Sequence, residues 1–500
     1  MLEVTTLLTA SFIDSENRMK HSEHTTPVQV GLTLCEISRW HEHLRQLHAR
    51  LRPHFARPEA HQHALRYLQA VLSDIPRKNG WQIAEQARQA RPYGIQRLLS
   101  TAAWDQDAVR DDLRALVCQS LTPSGRQAEG EAPFPVLVVD ESGFPKRGCH
   151  SAGVGPQYCG LTGRVENCQV GVFLSYVTAR GHALIDCELY VPEDWCSDQP
   201  RRQAAHIPDH ITFQTKPELA KVMLQRAQAA CLPMRWVVAD TVYGHSPDLR
   251  RWLEEQDAAY ALAVPSIEVV CVQTPAGYLL SDVADIAHQA LRPKDWQRLS
   301  QSQGTKGPRL FDWARLPVVE HGVTDGRHWL VFRRCLDEPH ELAYYLVFAP
   351  PTTPLSIMVQ AIGARWHIEE DLQACKDLGL DHYEVRSYVG WYRHLTLVLL
   401  ACAFLVSITV QHHLTGAAQP AEPAACSPLI PLTTSEARHL LAHLIFPAPT
   451  SAPLICHWSR FRRTHQYWAG YYHRRRRQKA GSRLRVEPVF PSQDFSWEFS

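Results

Sequence analysis

Two short segments of the chain carry almost only apolar residues and then reach an aspartate. They are PVLVVD, Pro135–Asp140, and RWVVADT, Arg235–Thr241. Valine-rich runs of this length predict strands that are buried on both faces of a sheet. A carboxylate at the carboxyl end of such a strand lies where α/β folds bind ligands. The segments therefore favour a sheet-centred fold and make Asp140 and Asp240 candidate site residues, although either could simply cap a helix or a turn.

Strands and helices alternate around these two segments. The runs CQVGVFLSYVT and HALIDCELYVP predict two further strands, which the tight turn Ala179–Gly181 joins. The order becomes three strands, a helix, a strand, a helix and a strand. This order predicts an α/β sheet whose front half is antiparallel. The other elements predicted here are helices over 217–231 and 246–255 and a strand over 260–265.

The N-terminal part has a different, helical periodicity. From Cys35 to Leu121 apolar residues recur at helical spacing. Trp81–Leu99 has the pattern helix, short Pro/Gly turn, helix, which is typical of a helix-turn-helix, although a plain helical bundle would also produce it. Residues 1–35 give little signal, and Thr122–Pro135 has the Gly, Pro and Glu content of a linker.

The second half predicts an irregular, strand-rich region followed by helices. Val319–Arg334 is predicted to form a hairpin around Asp325 and Gly326, and Leu342–Phe348 a strand. A helix is expected after Pro354. The apolar run Leu395–Val410 is 16 residues long, short of the roughly 20 that a bilayer requires, so we expect a buried core helix. A coil over 415–428 and a capped helix over 433–444 should follow.

Composition excludes several classes of protein. The chain has 52 basic and 51 acidic residues, which excludes a uniformly basic DNA-coating protein but leaves room for local basic patches. Fourteen cysteines contain no C-x-x-C pair, so neither a zinc motif nor a disulfide framework is predicted and a reducing cytosol is favoured. The N-terminus lacks the basic region of a signal peptide.

A third acidic residue stands on the helix ARWHIEEDLQACKDLGL, 364–380. At about 100° per residue, Arg365, Glu369 and Lys376 share one face with Ile362, whereas Glu370 falls elsewhere. A surface salt bridge would explain the pattern. A buried group of charges, however, is costly unless it meets another charge. The pattern therefore selects Glu369 as the third acid.

Three converging carboxylates suit two divalent cations. Hard ions such as Mg²⁺ prefer oxygen ligands, and two of them can stabilise the attacking and leaving oxygens of a phosphoryl transfer. The cations Arg365 and Lys376 would suit the phosphates of a bound nucleic acid.

These motifs resemble those of the RNase H-like DDE transposases of bacterial insertion sequences. In one branch the helix with the catalytic Glu carries Tyr-x2-Arg-x3-Glu-x6-Lys, which Arg365, Glu369 and Lys376 match, while Ile362 stands at the Tyr position. The resemblance extends over about residues 35–412. It is carried by VVDESGFPKRGCHSAGVGPQYCG (138–160), ENCQVGVFLSY (166–176), LYVPEDW (189–195), VVADTVYG (237–244) and LGLDHYEVRSYVGWYRHLTLVLLA (378–401).

The resemblance implies an α/β fold: an RNase H-like catalytic core with a β-rich insertion, preceded by an all-α N-terminal DNA-binding domain. A Trp of the insertion could stack on a flipped base if a DNA hairpin forms; Trp313 and Trp329 are the candidates, unless they are core residues. The implied divisions are a variable N-terminus (1–35), the DNA-binding domain (36–125), the core (136–265 and 341–412), the insertion (266–340) and a C-terminal region (413–500).

The resemblance also implies the activity. Asp140, Asp240 and Glu369 would bind Mg²⁺ (or Mn²⁺), with two ions expected, and catalyse DNA cleavage and strand transfer in cut-and-paste transposition. The partners would be terminal inverted repeats and target DNA, with a homodimer in the synaptic complex and no membrane. The location would be the cytoplasm, in association with the nucleoid.

The stretch Cys456–Arg485 contains ten Arg or Lys and no acidic residue, interleaved with aromatic residues. This mixture favours contacts with the DNA backbone over a merely solvated tail, and Arg474, Arg475, Arg476 and Arg477 form its most basic run.

Two other functions fit the same motifs. A non-catalytic or domesticated DNA-binding relative is disfavoured because Asp140, Asp240 and Glu369 are all present. A structure-selective nuclease with the same core is the third alternative.

Overall fold

The computed structural model describes residues 32–122, 135–304, 307–319, 324–417, 430–449 and 451–479. The N-terminus predicted to be variable lies outside the described residues up to position 31. So do most of the predicted linker, most of the predicted coil over 415–428, and the basic stretch beyond residue 479.

Within the described residues 32–122, five α-helices form the N-terminal part, as the periodicity predicted. Thr33 and Glu36 form a reciprocal capping box at the start of the first helix, and Asp105 caps the fifth. The periodic apolar residues Val109 and Val117 are buried. The helices are α1 (Leu34–Arg50), α2 (Pro58–Leu72), α3 (Gly80–Gln86), α4 (Tyr93–Ser100) and α5 (Gln106–Leu121). Helices α3 and α4 with the turn between them confirm the predicted helix, turn, helix order.

The centre of the molecule is a ten-stranded mixed sheet with an RNase H-like arrangement. Strand β1 pairs in parallel with β5, and β5 in parallel with β6, while β3 pairs antiparallel with both β1 and β4. The antiparallel front half was predicted. These strands are β1 (Val136–Pro145), β2 (Gly155–Cys159), β3 (Arg164–Thr178), β4 (Gly181–Tyr190), β5 (Trp236–Ala239) and β6 (Ala259–Val264).

The strand-rich region extends the same sheet. Strand β12 pairs antiparallel with β6, and β11, β10 and β9 follow in order. Strands β7 and β8 form a separate two-stranded sheet. The strands are β7 (Val269–Thr274), β8 (Gly277–Asp282), β9 (Gln297–Gly304), β10 (Gly307–Pro317), β11 (His328–Arg334) and β12 (Leu342–Phe348). Asp325 and Gly326 lie between the antiparallel strands β10 and β11, as the predicted hairpin requires, but its first strand ends at Pro317, before the predicted Val319. Residues 320–323 of the connection lie outside the described part.

Helices cover the sheet and link it to the N-terminal part. The apolar run forms the long α14, whose most apolar window is 89% buried, as expected of a core helix. It packs against both β4 and α5. The remaining helices are α6 (Glu193–Ser197), α7 (Gln199–Ala204), α8 (Lys216–Ala229), α9 (Thr241–Gly244), α10 (Pro247–Glu255), α11 (Val283–Ala290), α12 (Leu355–Gly363), α13 (Trp366–Asp377), α14 (Tyr388–Ala417), α15 (Thr434–Leu440) and α16 (Ala452–Lys479).

Three local predictions were wrong. Strand β1 does not end at Asp140 but continues to Pro145, because the long strand β3 pairs with it along its whole length. Helix α11 interrupts a region predicted to be strands and irregular loops. The helix expected after Pro354 is two helices, and the break follows Gly363, where a Cβ atom would lie 2.2 Å from the backbone oxygen of Gln301.

Candidate active site

The register of two parallel strands places the first two candidate acids side by side. Val139 of β1 pairs with Ala239 of β5, so Asp140 and Asp240 are the next residues on neighbouring strands, which lie about 4.8 Å apart in a sheet. Both carboxylates accept hydrogen bonds from backbone N–H groups. Asp140 Oδ1 is 2.7 Å from the Glu141 nitrogen, and Asp240 Oδ1 is 2.9 Å from the Val242 nitrogen at the start of α9.

The third acid is joined to them by an arginine. The guanidinium of Arg365 donates to Glu369 Oε1 at 2.7 Å and lies 3.5 Å from Asp140 Oδ2. It also lowers the pKa of Asp240, although more weakly than burial raises it. Helix α13 thus places Glu369 near Asp140, which lies on the inner strand β1. Two of the three candidate acids, Asp140 and Glu369, contact one guanidinium, and Asp240 follows the strand next to Asp140.

Burial and mutual repulsion make this group of acids electrostatically unfavourable. Burial raises the pKa of Asp140 to about 7, the nearby charge of Asp240 adds to the rise, and Arg365 opposes it. The pKa of Asp240 is also raised, first by burial and then by Glu141. Two neighbouring half-buried carboxylates cannot both ionise without a free-energy cost unless a cation lies nearby.

The donor set fits the divalent ions that the family resemblance implies. Asp140, Asp240 and Glu369 offer only carboxylate oxygens, the ligand type that Mg²⁺ and Mn²⁺ prefer. The Arg365 guanidinium is the counter-charge that the structure itself supplies between Asp140 and Glu369.

Lys376, the second predicted cation, has a different environment. It is half-buried in the last turn of α13, two turns beyond Glu369. No ion pair among the described residues includes its ammonium. Its charge is therefore available to bind a phosphate, whereas the charge of Arg365 is paired with Asp140 and Glu369.

Glu141 contacts two polar side chains, and nothing in the sequence indicated these contacts. Strand alternation sends its side chain away from the side where Asp140 lies. There its carboxylate accepts a hydrogen bond from the Tyr243 hydroxyl at 2.8 Å and pairs with Lys216 Nζ at 2.6 Å. Both partners come from distant elements, α9 and α8, so spacing along the chain offered no signal.

The tryptophans proposed for base stacking have different environments. Trp313 is fully buried, so it is a core residue, the alternative that the sequence left open for it, and it is not available to stack on a flipped base. Trp329 is half-buried beneath the Arg315 guanidinium, 4.1 Å from the ring centroid. Trp366, which the sequence reasoning did not propose, is 41% exposed on α13 three residues before Glu369. Its position between Arg365 and His367 was the available signal.

Helix α4 has an exposed polar face in the helix-turn-helix region. Ile95, Leu98 and Leu99 are buried, whereas Gln96 and Arg97 are exposed. This face can meet a DNA groove.

The described part of the basic C-terminal stretch, up to Lys479, belongs to α16, whose first half packs on the helix-turn-helix region. Trp458 is fully buried and donates its indole N–H to the Gln89 oxygen at 3.0 Å. Arg462 forms an ion pair with Glu85 at 2.5 Å. Trp458 was expected among the aromatic residues available to DNA, and this was wrong because α3 and the following turn cover it.

The second half of α16 is exposed. Tyr467, Trp468, Tyr471 and Tyr472 are exposed aromatic residues, and Arg474, Arg475 and Arg476 are exposed cations that follow them. Arg477 belongs to the same helix, but its side chain lies outside the described part.

Comparison with known proteins adds the family. Residues 50–308 match the family described as "DDE superfamily endonuclease", and residues 215–404 match the family described as "Transposase DDE domain". The chain is 28% identical over 344 residues to the "Probable transposase for insertion sequence element IS701" of Microchaete diplosiphon, covering 66% of this chain and 80% of that protein. A solved piggyBac transposase synaptic complex with hairpin DNA is 12% identical, with a TM-score of 0.37, over 81% of this chain and 76% of that one.

Proposed function

Because the chain belongs to the DDE superfamily of endonucleases and is a transposase of the insertion-sequence type, we propose that it binds the terminal inverted repeats of its element and moves the element by cut-and-paste. The observation that supports this proposal is that Arg365 contacts both Asp140 and Glu369, while Asp240 follows the strand that pairs with the strand of Asp140. A half-buried group of acids of this kind suits metal-dependent cleavage and strand transfer.

Asp140, Asp240 and Glu369 would hold Mg²⁺ (or Mn²⁺), two ions in the proposal. When bound, the ions stabilise charge on the attacking and leaving oxygens of phosphoryl transfer. Asp140 would bind a cation as its ionised carboxylate, because burial and the nearby Asp240 raise its pKa to about 7 and a bound cation would favour the charged form. Arg365 and Lys376 would position the phosphates of the DNA backbone.

Sequence recognition is proposed for the domain at residues 36–125. Reading bases requires side chains presented in a groove by a helix, and the exposed face of α4 with Gln96 and Arg97 is suited to that. The proposed domain divisions remain those given by the sequence, with the core at 136–265 and 341–412 around the insertion at 266–340.

The exposed half of α16 would bind DNA without reading its sequence. Arg474, Arg475, Arg476 and Arg477 would neutralise phosphates, and the neighbouring exposed aromatic rings would pack against sugars or unpaired bases. We propose that a homodimer holds the element ends and the target DNA together in the synaptic complex. We also propose that it acts in the cytoplasm, in association with the nucleoid.

A cleavage assay on DNA carrying the element ends tests the proposal. Asp140→Asn, Asp240→Asn and Glu369→Gln should each abolish Mg²⁺-dependent cleavage while the protein still binds the ends. Glu384→Gln is the matched control, because Glu384 is an exposed glutamate paired with Arg77 at 3.7 Å. Cleavage lost in Glu384→Gln and kept in Glu369→Gln would contradict the assignment.

A further inference from the structure

A second group of ligating side chains lies against the same helix, away from the carboxylates of the active site. His182 stands at the start of β4, and His367 and Glu370 lie on α13. Each offers a donor atom, and these atoms all lie within 4.8 Å of one another. His182 Nε2 is 3.4 Å from Glu370 Oε2, and His367 Nδ1 is 2.8 Å from the same oxygen.

A buried carboxylate fixes which nitrogen of His182 is free to bind. Asp371 Oδ1 is 2.8 Å from His182 Nδ1, and Asp371 Oδ2 accepts a hydrogen bond from the Ser175 hydroxyl at 2.5 Å. An ionised carboxylate only accepts hydrogen bonds, so Nδ1 carries the proton. The lone pair of neutral His182 is then on Nε2, which faces Glu370. A carboxylate behind the histidine is the usual arrangement at metal-binding imidazoles.

We propose that His182, His367 and Glu370 form a second metal site, which takes a zinc-like transition-metal ion and connects β4 to the helix that carries Glu369. Two ligands bound about 2.0–2.1 Å from a tetrahedral zinc lie about 3.3 Å apart. The separation of 3.4 Å between His182 Nε2 and Glu370 Oε2 matches this. His367 Nδ1 is 2.8 Å from the same oxygen, a hydrogen-bond distance, so an incoming metal would take the place of the bridging proton, which would be released to solvent, and water would complete the coordination.

The donor chemistry separates this site from the catalytic one. Asp140, Asp240 and Glu369 offer only oxygen, whereas this group offers two imidazoles and one carboxylate, a set that suits zinc rather than magnesium. The site is also accessible to an ion, since the Glu370 side chain is 48% exposed. Metal binding here can be measured without DNA cleavage, so its test does not depend on the proposed transposition activity.

The site would hold the catalytic helix in place. Glu369 and Glu370 are consecutive, and the first interacts with Arg365 while the second interacts with the two histidines. A metal bound by His182 and Glu370 joins β4 to α13 directly beside the catalytic glutamate. His182, His367 and Glu370 are therefore positioning residues.

The alternative is that His182, His367 and Glu370 interact only with one another and with Asp371, and bind no metal ion. A protonated His182 between Asp371 and Glu370 would also account for the short contacts, and the stacked rings of His182 and His367, 4.4 Å apart, would need no ion. Only this alternative predicts that zinc leaves the protein unchanged.

Titration of the full chain with Co²⁺ and Zn²⁺ distinguishes the two. The protein carries Asp240→Asn, which weakens the catalytic site. We expect one Co²⁺ per chain with the intense visible absorption of a tetrahedral nitrogen and oxygen environment. His182→Gln, His367→Gln and Glu370→Gln should each lower Zn²⁺ affinity more than about 100-fold, and Asp371→Asn about 10- to 100-fold.

His328→Gln is the matched control. His328 also has two carboxylate partners, Asp325 at 2.8 Å and Glu254 at 3.4 Å, but lies on β11. The His328→Gln variant should bind metal with the same affinity as the parent protein. Thermal unfolding provides a second readout, since Zn²⁺ should raise the melting temperature of the parent and of His328→Gln but not of His182→Gln or His367→Gln. Unchanged metal binding in both of these variants, or no binding in the parent, would overturn the proposal.

Discussion

The guanidinium of Arg365 lies 3.5 Å from the carboxylate of Asp140. The contact is made across the fold, between a residue that precedes α13 and one in the middle of β1, and it partly compensates a buried charge. Because the same guanidinium binds Glu369, the protein without metal holds its acidic group together with an internal cation.

Metal affinity should depend on pH. Asp140 retains a proton below its pKa of about 7, and a metal ion must displace that proton. We expect the apparent Mg²⁺ dissociation constant to rise about tenfold per pH unit below about 7 and to level off above it. Calorimetric titration in buffers of different ionisation enthalpy measures the proton released. Equal affinity at about pH 6 and about pH 8 would contradict the prediction.

Asp140→Asn should stabilise the metal-free protein at alkaline pH. The folded-state pKa of Asp140 is raised, so its protonated form stabilises the fold fully below about pH 4, and this contribution is lost as pH rises through about 7. We expect a gain on the order of a few kcal/mol in unfolding free energy at about pH 8 and no gain at about pH 4. Denaturant unfolding at the two pH values, with Glu384→Gln as control, tests this; equal changes at both would refute it.

Arg365→Ala and Lys376→Ala should weaken DNA binding at the cleavage site while sparing the fold. Phosphate contacts supply affinity without sequence information, so each variant should lose affinity for any sequence and reduce the salt dependence by about one charge. Fluorescence anisotropy at several salt concentrations, with circular dichroism to check folding, measures both. If a variant unfolds while its folded fraction binds DNA normally, the substituted cation has a structural role and does not bind DNA.

End recognition should depend on the exposed face of α4. Gln96→Ala and Arg97→Ala should reduce the preference for terminal-repeat over scrambled DNA, since a lost base contact costs about 1–3 kcal/mol. Arg45→Ala on the exposed side of α1, where Arg45 pairs with Glu42 at 3.9 Å, is the control and should keep the preference. Unchanged end preference in both α4 variants would place recognition elsewhere.

Point variants suit this test better than removal of residues 1–125. Arg110 and Arg114 of α5 reach the fully buried Asp186 of the core, at 3.2 and 3.8 Å. Deleting α5 would leave Asp186 with Arg226 as its remaining ion-pair partner among the described residues. A truncated protein would therefore lose core stability together with any recognition.

Two tryptophans of α16 should behave oppositely. Trp458→Ala removes a fully buried indole and should cost about 3–5 kcal/mol of unfolding free energy. Trp468→Ala alters a 44% exposed side chain and should leave stability nearly unchanged while weakening binding to single-stranded or distorted DNA. Thermal unfolding and binding assays on both proteins test the contrast. Normal stability in Trp458→Ala, or a large loss in Trp468→Ala, would contradict the packing described.

Much of the fold could be predicted from local patterns. Valine-rich runs identified β1 and β5, helical periodicity identified the N-terminal helices, and the i, i+4 spacing of Arg365 and Glu369 placed them on one face, where their side chains bond. These signals work because burial imposes a period on the sequence wherever one face of an element meets the core.

The sequence by itself therefore determined the element types, the α/β class and the three acids that could form a site. Only the tertiary structure decided that β1 continues past Asp140 along β3, that the helix breaks after Gly363, that Trp458 is buried while Trp468 is exposed, and that His182 meets Glu370. Each of these depends on a partner far away in the chain, such as Gln301 against Gly363. Hydrophobic periodicity records that a face is covered, but the residue that covers it is fixed only when distant segments pack together.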